Sequence, residues 1–140
     1  MKFVYFEIAK KLKEKGYPQV KKNTIAMYSE YGEWYSLAQN LDDFEYSFAD
    51  FDEHDYVCPT ISQALDWLRE KYSIHVSTKP YPCEDGVMWL YEIRKFSRYI
   101  SIVEANKAGF IREEQASLAG IEYILDNLIV TQEMICCYDR

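Results

Sequence analysis

The run PTISQALDWLREKYSIHVSTK, residues 59–79, changes its hydrophobic period part-way along. Ile61, Leu65, Leu68 and Tyr72 fall on one stripe of a 3.6-residue helix. Thr60 and Gln63 have the spacing of a capping box, and Pro59 suits the residue just before a helix start. From Ile74 the period becomes two, with Ile74, Val76 and Thr78 on one face and His75, Ser77 and Lys79 on the other. A helix leading straight into a half-buried strand is therefore expected. Downstream, residues 81–86 are rich in turn formers. Residues 87–95 alternate Val87, Trp89, Tyr91 and Ile93 against Met88, Leu90, Glu92 and Arg94, and residues 99–103 form a third strand-like run. A last helix is expected over 113–129, burying Leu118, Ile121, Leu125, Leu128 and Ile129.

Upstream, Val4, Ile8 and Leu12 predict a helix over 3–14, closed by Gly16 and Pro18. Residues 24–29 and 34–38 read as a hairpin turning at 30–33. Helices and strands mix without regular β-α alternation. The expected class is α+β, an antiparallel sheet with helices packed on one face, in the order αββ-αβββα. At 140 residues the chain is expected to form one domain. Within it, residues 1–41 form a helix-plus-hairpin subregion too short for a core of its own. Residues 42–58 are an acidic connecting segment, and residues 59–130 the αβββα core.

The composition is 49% apolar with 13 tyrosines, which excludes a mostly disordered chain. The net charge of -7 is strongly segregated. Residues 1–22 carry seven lysines against two acids, whereas residues 23–68 carry ten acids and no cation at all. Such a balance argues against a nucleic-acid backbone binder, which needs clustered Lys and Arg. Blocks of this kind mark solvated faces, or steer association with a complementary partner. No apolar window approaches the ~20 residues of a membrane span. Glu7 interrupts the N-terminal apolar run, so no signal peptide is expected and the reading is cytoplasmic. Cys58, Cys83, Cys136 and Cys137 lack zinc-site spacing and read as thiols.

The Pro59-Thr60 start, the Trp67-Leu68-Arg69-Glu70-Lys71 core, the Ile74-His75 strand entry, the Trp89–Tyr91 strand and the Glu113-Glu114 helix opening carry a resemblance. The chain resembles a group of small uncharacterised proteins of gut Bacteroides and their phages or mobile elements. The likeness covers about half the chain, from Cys58 to the last helix. It implies a phage-associated or mobile-element context and a fold, but no chemistry. The αβββα order over 60–129 is also similar in topology to a double-stranded-RNA-binding domain. That family docks phosphates on a basic cluster opening its last helix. Here that helix opens Arg112-Glu113-Glu114-Gln115, so the family's binding residues do not carry over.

No catalytic, metal or cofactor constellation stands out. His75 needs a nucleophile or carboxylate against it, and Cys83 lies eight residues on. Residues 50–55 gather carboxylates that suit a hard cation, but lack the Gly and closing Glu of an EF-hand loop. Cys58-Pro59 has the minimal haem-regulatory dipeptide, yet Pro59 already has a reason to precede a helix. What remains is surplus aromatic area. Not all 13 tyrosines fit a core of this size, and exposed Tyr and Trp mark binding faces. Candidate partner-binding residues are Trp34, Phe44, Tyr46, Phe48, Asp50, Phe51, Asp52, Glu53 and Asp55. The leading expectation is a non-enzymatic protein-interaction module. The alternatives are an acidic mimic of nucleic acid and a small enzyme using His75. Self-association is compatible with all three.

Overall fold

The computed structural model describes residues 2–20, 24–36 and 54–129. The chain is α+β and divides into two compact units. Among the described residues the first holds 3–60 with Ile129, and the second holds Lys2 with 61–128.

The first unit contains helix α1 (Phe6–Glu14) and strands β1 (Ala26–Tyr28), β2 (Trp34–Ser36) and β3 (Tyr56–Cys58). They form an antiparallel sheet ordered β2-β1-β3. The helix starts three residues later than its apolar period suggests. Phe3 forms an antiparallel bridge with Thr60, and the Val4 N–H donates to the Pro59 carbonyl at 3.1 Å. These bonds hold residues 3–5 extended, so helical bonding begins at Phe6. The helix ends in a Schellman motif. Tyr17 N–H donates to Leu12 C=O and Gly16 N–H to Lys13 C=O, with Gly16 at φ +97°. Val4, Ile8, Ala9 and Leu12 are buried, as are Ala26 and Cys58. On the opposite sheet face Met27 and Val57 pack with Tyr17 and Tyr35. Strand β3 is an addition to the expected order and lies inside the stretch read as an acidic connection.

The second unit contains α2 (Ile61–Tyr72), β4 (Ile74–Cys83), β5 (Gly86–Ser97), β6 (Ile100–Phe110) and α3 (Glu113–Asn127). Its antiparallel sheet is ordered β4-β5-β6. Ser73 links α2 to β4 at φ +56°, its N–H donating to Arg69 C=O and its own C=O accepting the Phe96 N–H. The expected two-period alternation is realised: Ile74, Val76, Tyr91 and Ile93 are buried, while His75, Ser77, Glu92 and Arg94 on the other face are half-buried. Helix α3 buries Ala116, Gly120, Ile121, Ile124 and Leu125. It approaches so closely at Gly120 that a Cβ there would stand 2.8 Å from Val76 Cγ1. Strand β6 runs to Phe110, well past the expected end at 103. Two extra residues, Glu104 and Gly109, bulge out of its pairing with β5.

Candidate interaction surface

The aromatic side chains of the first unit form a connected set around Phe6. Its ring meets Tyr28 edge-on at 5.5 Å and Tyr56 at 5.6 Å. Gly32, in the turn between β1 and β2, passes directly over the same ring, where a Cβ would come within 3.2 Å. The turn itself is tied by Ser29. Its hydroxyl oxygen accepts from Tyr31 N–H and Glu33 N–H, and its carbonyl accepts from Gly32 N–H. The ammonium groups of Lys10 and Lys13 lie over Phe6 and Tyr56, at 5.2 and 4.9 Å from the ring centroids. Part of the positive charge of the first helix is thus laid onto aromatic faces.

Trp34 stands opposite Tyr28 on β2, an outer strand of the sheet, with Phe3 edge-on at 5.5 Å. It remains 46% exposed, Tyr31 is 83% exposed and Tyr5 41% exposed. All three lie on the segments that build the aromatic cluster: Tyr5 precedes Phe6, Tyr31 is in the turn beside Gly32, and Trp34 pairs with Tyr28. Asp55 is placed differently. Its carboxylate accepts the Tyr35 hydroxyl at 3.0 Å and its carbonyl accepts Lys13 Nζ at 2.9 Å, ties that join α1, β2 and the entry to β3. Phe44, Tyr46, Phe48, Asp50, Phe51, Asp52 and Glu53 lie outside the described residues. A cleft of about 390 Å³ beside this region is lined by Lys13, Glu14, Glu30, His54 and Tyr56. It mixes both signs of charge.

Cys58 is buried beneath this cluster, its thiol donating to the Val4 carbonyl at 3.4 Å. Burial pushes its pKa up from 9.0 to about 11, with the neighbouring Trp34 and Tyr28 side chains drawing it partly back. Tyr28, whose hydroxyl donates to the same carbonyl, is pushed up to about 12, again chiefly by burial. The thiolate is the reactive form, so Cys58 is inert while folded. With peptide mapping at mildly alkaline pH, an alkylating reagent is expected to label exposed Cys83 at once and Cys58 only after denaturation. Both raised values favour the neutral groups in the folded chain. Their contribution to stability is complete below pH 9.0; that of Cys58 is lost as pH rises toward about 11 and that of Tyr28 between 10.0 and about 12. Urea unfolding across that interval reads the loss.

In the second unit, His75 and Cys83 sit at opposite ends of β4, His75 facing Arg94 and Cys83 facing Gly86. Eight residues of strand separate them by roughly 26 Å. That removes the dyad. His75 instead borders a cleft of about 420 Å³ with Arg69, Ser73 and Phe96, with no carboxylate among the described lining residues. Beside it on the open sheet face, Glu92 accepts Arg94 Nε at 2.6 Å, and this bond, with Lys79 nearby, lowers its pKa. At the start of α3 the Thr78 hydroxyl donates to Glu113, while Glu114 is paired with Lys2 and Arg112. The Lys2 bond holds the Glu114 carboxyl below its usual range.

Among the described residues no group of three or more His, Cys, Asp or Glu is gathered to hold a metal ion, and no helix is long and apolar enough to cross a membrane. Comparison with protein-family models, curated proteins and solved structures finds no match. Exposure was the part of this site that sequence reasoning missed. Tyr5 and Tyr31 carry no periodic signal that separates them from the packed tyrosines.

Proposed function

We propose that this chain is a non-enzymatic protein-interaction module acting in the cytoplasm, of the kind that phages and mobile elements of gut Bacteroides carry. The observation supporting this most is the exposed aromatic border of Tyr5, Tyr31 and Trp34 around the Phe6 cluster. Tyr and Trp dominate binding hot spots because they add large apolar area and a polar tip at low entropic cost. The carboxylates of residues 42–55, seven without a cation among them, supply the field that draws in a basic partner. Aromatic contacts then hold the complex, and charge sets its rate of formation.

The test is affinity capture from a lysate of the native host with three baits: the wild-type chain, Trp34→Ala, and Tyr31→Ala with Trp34→Ala. A partner held by the wild type is expected to be lost stepwise across the variants. Its capture should weaken in high salt, where surface fields are screened. Equal capture by all three folded baits would sink the reading, as would nothing above background on the wild type.

A further inference from the structure

The two outer strands of the second unit's sheet are guarded very differently. An exposed strand edge pairs with other chains unless proline, charge or a bulge blunts it. Strand β4 carries Lys79, Pro80 and Pro82 along its distal half. Strand β6 is blunted only beyond residue 103, by the bulges at Glu104 and Gly109 and by Lys107. Residues 100–103 have no such guard. Among the described residues no strand pairs with their outer side. Three of the four are apolar and open to solvent, with Ile100 61%, Ile102 55% and Val103 41% exposed, and the adjoining Tyr99 is 93% exposed.

The main chain of this stretch is oriented for pairing. The Phe96 N–H donates to Ser73 C=O, on the side away from β6. The Phe96–Ser101 pair is therefore the non-hydrogen-bonded kind, flanked by the bonded pairs Lys95–Ile102 and Ser97–Ile100. By that alternation Ser101 directs both its N–H and its C=O outward.

We propose that residues 100–103 pair antiparallel with the same stretch of a second copy, about a two-fold axis through Ser101. The stretch is complementary to itself in that register. Ser101 exchanges both main-chain bonds with its counterpart. Ile100 stands opposite Ile102 twice, Tyr99 opposite Val103 twice, and Arg98 comes beside Glu104 of the second copy. No like charges face each other. The product is one six-stranded sheet with an isologous interface. The proposal rests on β6 alone and holds whether or not the Trp34 cluster binds a partner.

Sedimentation equilibrium of the full chain tests it. The wild type is expected at twice 16.6 kDa. Ser101→Pro removes an outward donor and the exposed Arg94 Nη1–Ser101 Oγ bond while leaving every β5–β6 main-chain bond in place, since an edge strand tolerates proline where its N–H faces away. It is expected to be a monomer with wild-type circular dichroism. Ile100→Lys with Ile102→Lys sets lysine opposite lysine and is also expected to be a monomer. Ile100→Lys with Ile102→Glu sets opposite charges across the axis and is expected to remain a dimer. Should Ser101→Pro fail to fold, the two charge variants decide. A monomeric wild type overturns the proposal, and so does a folded Ser101→Pro or doubly lysine-substituted chain that remains a dimer.

Discussion

Gly120→Ala is expected to lower the stability of the chain by about 1 kcal/mol and its melting temperature by roughly 4 °C. Helix propensity alone predicts the opposite. Alanine inside a helix is favoured over glycine by about 1 kcal/mol. Packing decides the sign. A Cβ at position 120 would lie 2.8 Å from Val76 Cγ1 and 3.4 Å from Tyr91 Cγ. Val76 is β-branched and buried, so its χ1 is restricted and it has little room to turn. Overpacking of this kind costs about 1–3 kcal/mol, enough to outweigh the propensity gain. A double-mutant cycle makes the cause visible. Val76→Ala alone leaves a cavity and destabilises, but in the Gly120→Ala background it also removes the clash. The coupling is expected to be stabilising by at least about 1 kcal/mol. A Gly120→Ala chain that melts at or above the wild type would show that the helix and sheet move apart at little cost.

This close approach also shows where sequence reasoning runs out. Helices α2 and α3 were legible because apolar residues recur at 3.6 and because Pro59 and Gln63 punctuate the start of α2, but their buried faces were only partly so: the small residues Ala64, Ala116 and Gly120 are buried, while Leu65, Leu118 and Leu128 are half-buried. β4 and the first part of β5 were legible from strict alternation. Strand β3 was not. It has three residues, too few for a period, and follows the acidic run. The later half of β6 was hidden for another reason. The bulges at Glu104 and Gly109 shift the alternation, and Asn106, Lys107 and Ala108 are poor strand formers held by their partners on β5. The start of α1 moved because Val4 bonds to Pro59, a contact more than fifty residues away in sequence. The candidate site divides the same way. Trp34 was named from its residue type, while its exposure follows from an outer position on a sheet whose third strand was not expected. Asp55 was grouped with neighbouring carboxylates, yet its bond to Tyr35 is a long-range fact that composition does not contain.

Phe6→Ala is expected to cost about 3 kcal/mol, read by urea or thermal unfolding. A fully buried phenylalanine at the upper end of the range loses about 5 kcal/mol on truncation, and Phe6 is half-buried. What raises its cost is the number of elements that meet on the ring. Tyr28 comes from β1, Tyr56 from β3, Gly32 from the hairpin turn and Lys10 from the next turn of the helix. Removing the ring leaves the turn, the helix and two strands without their common contact, and Gly32 has no side chain with which to fill the gap. Trp34→Ala is expected to behave oppositely. Trp34 is 46% exposed and its ring contact is with Phe3, so truncation should cost only about 1 kcal/mol. The pair separates structure from recognition. If Trp34 binds a partner, Trp34→Ala abolishes capture while the chain stays folded. Phe6→Ala lowers capture only as far as it unfolds the first unit, and cooling or a stabilising osmolyte restores it. If Trp34 merely packs, both variants lose capture in proportion to stability, and the same conditions restore both.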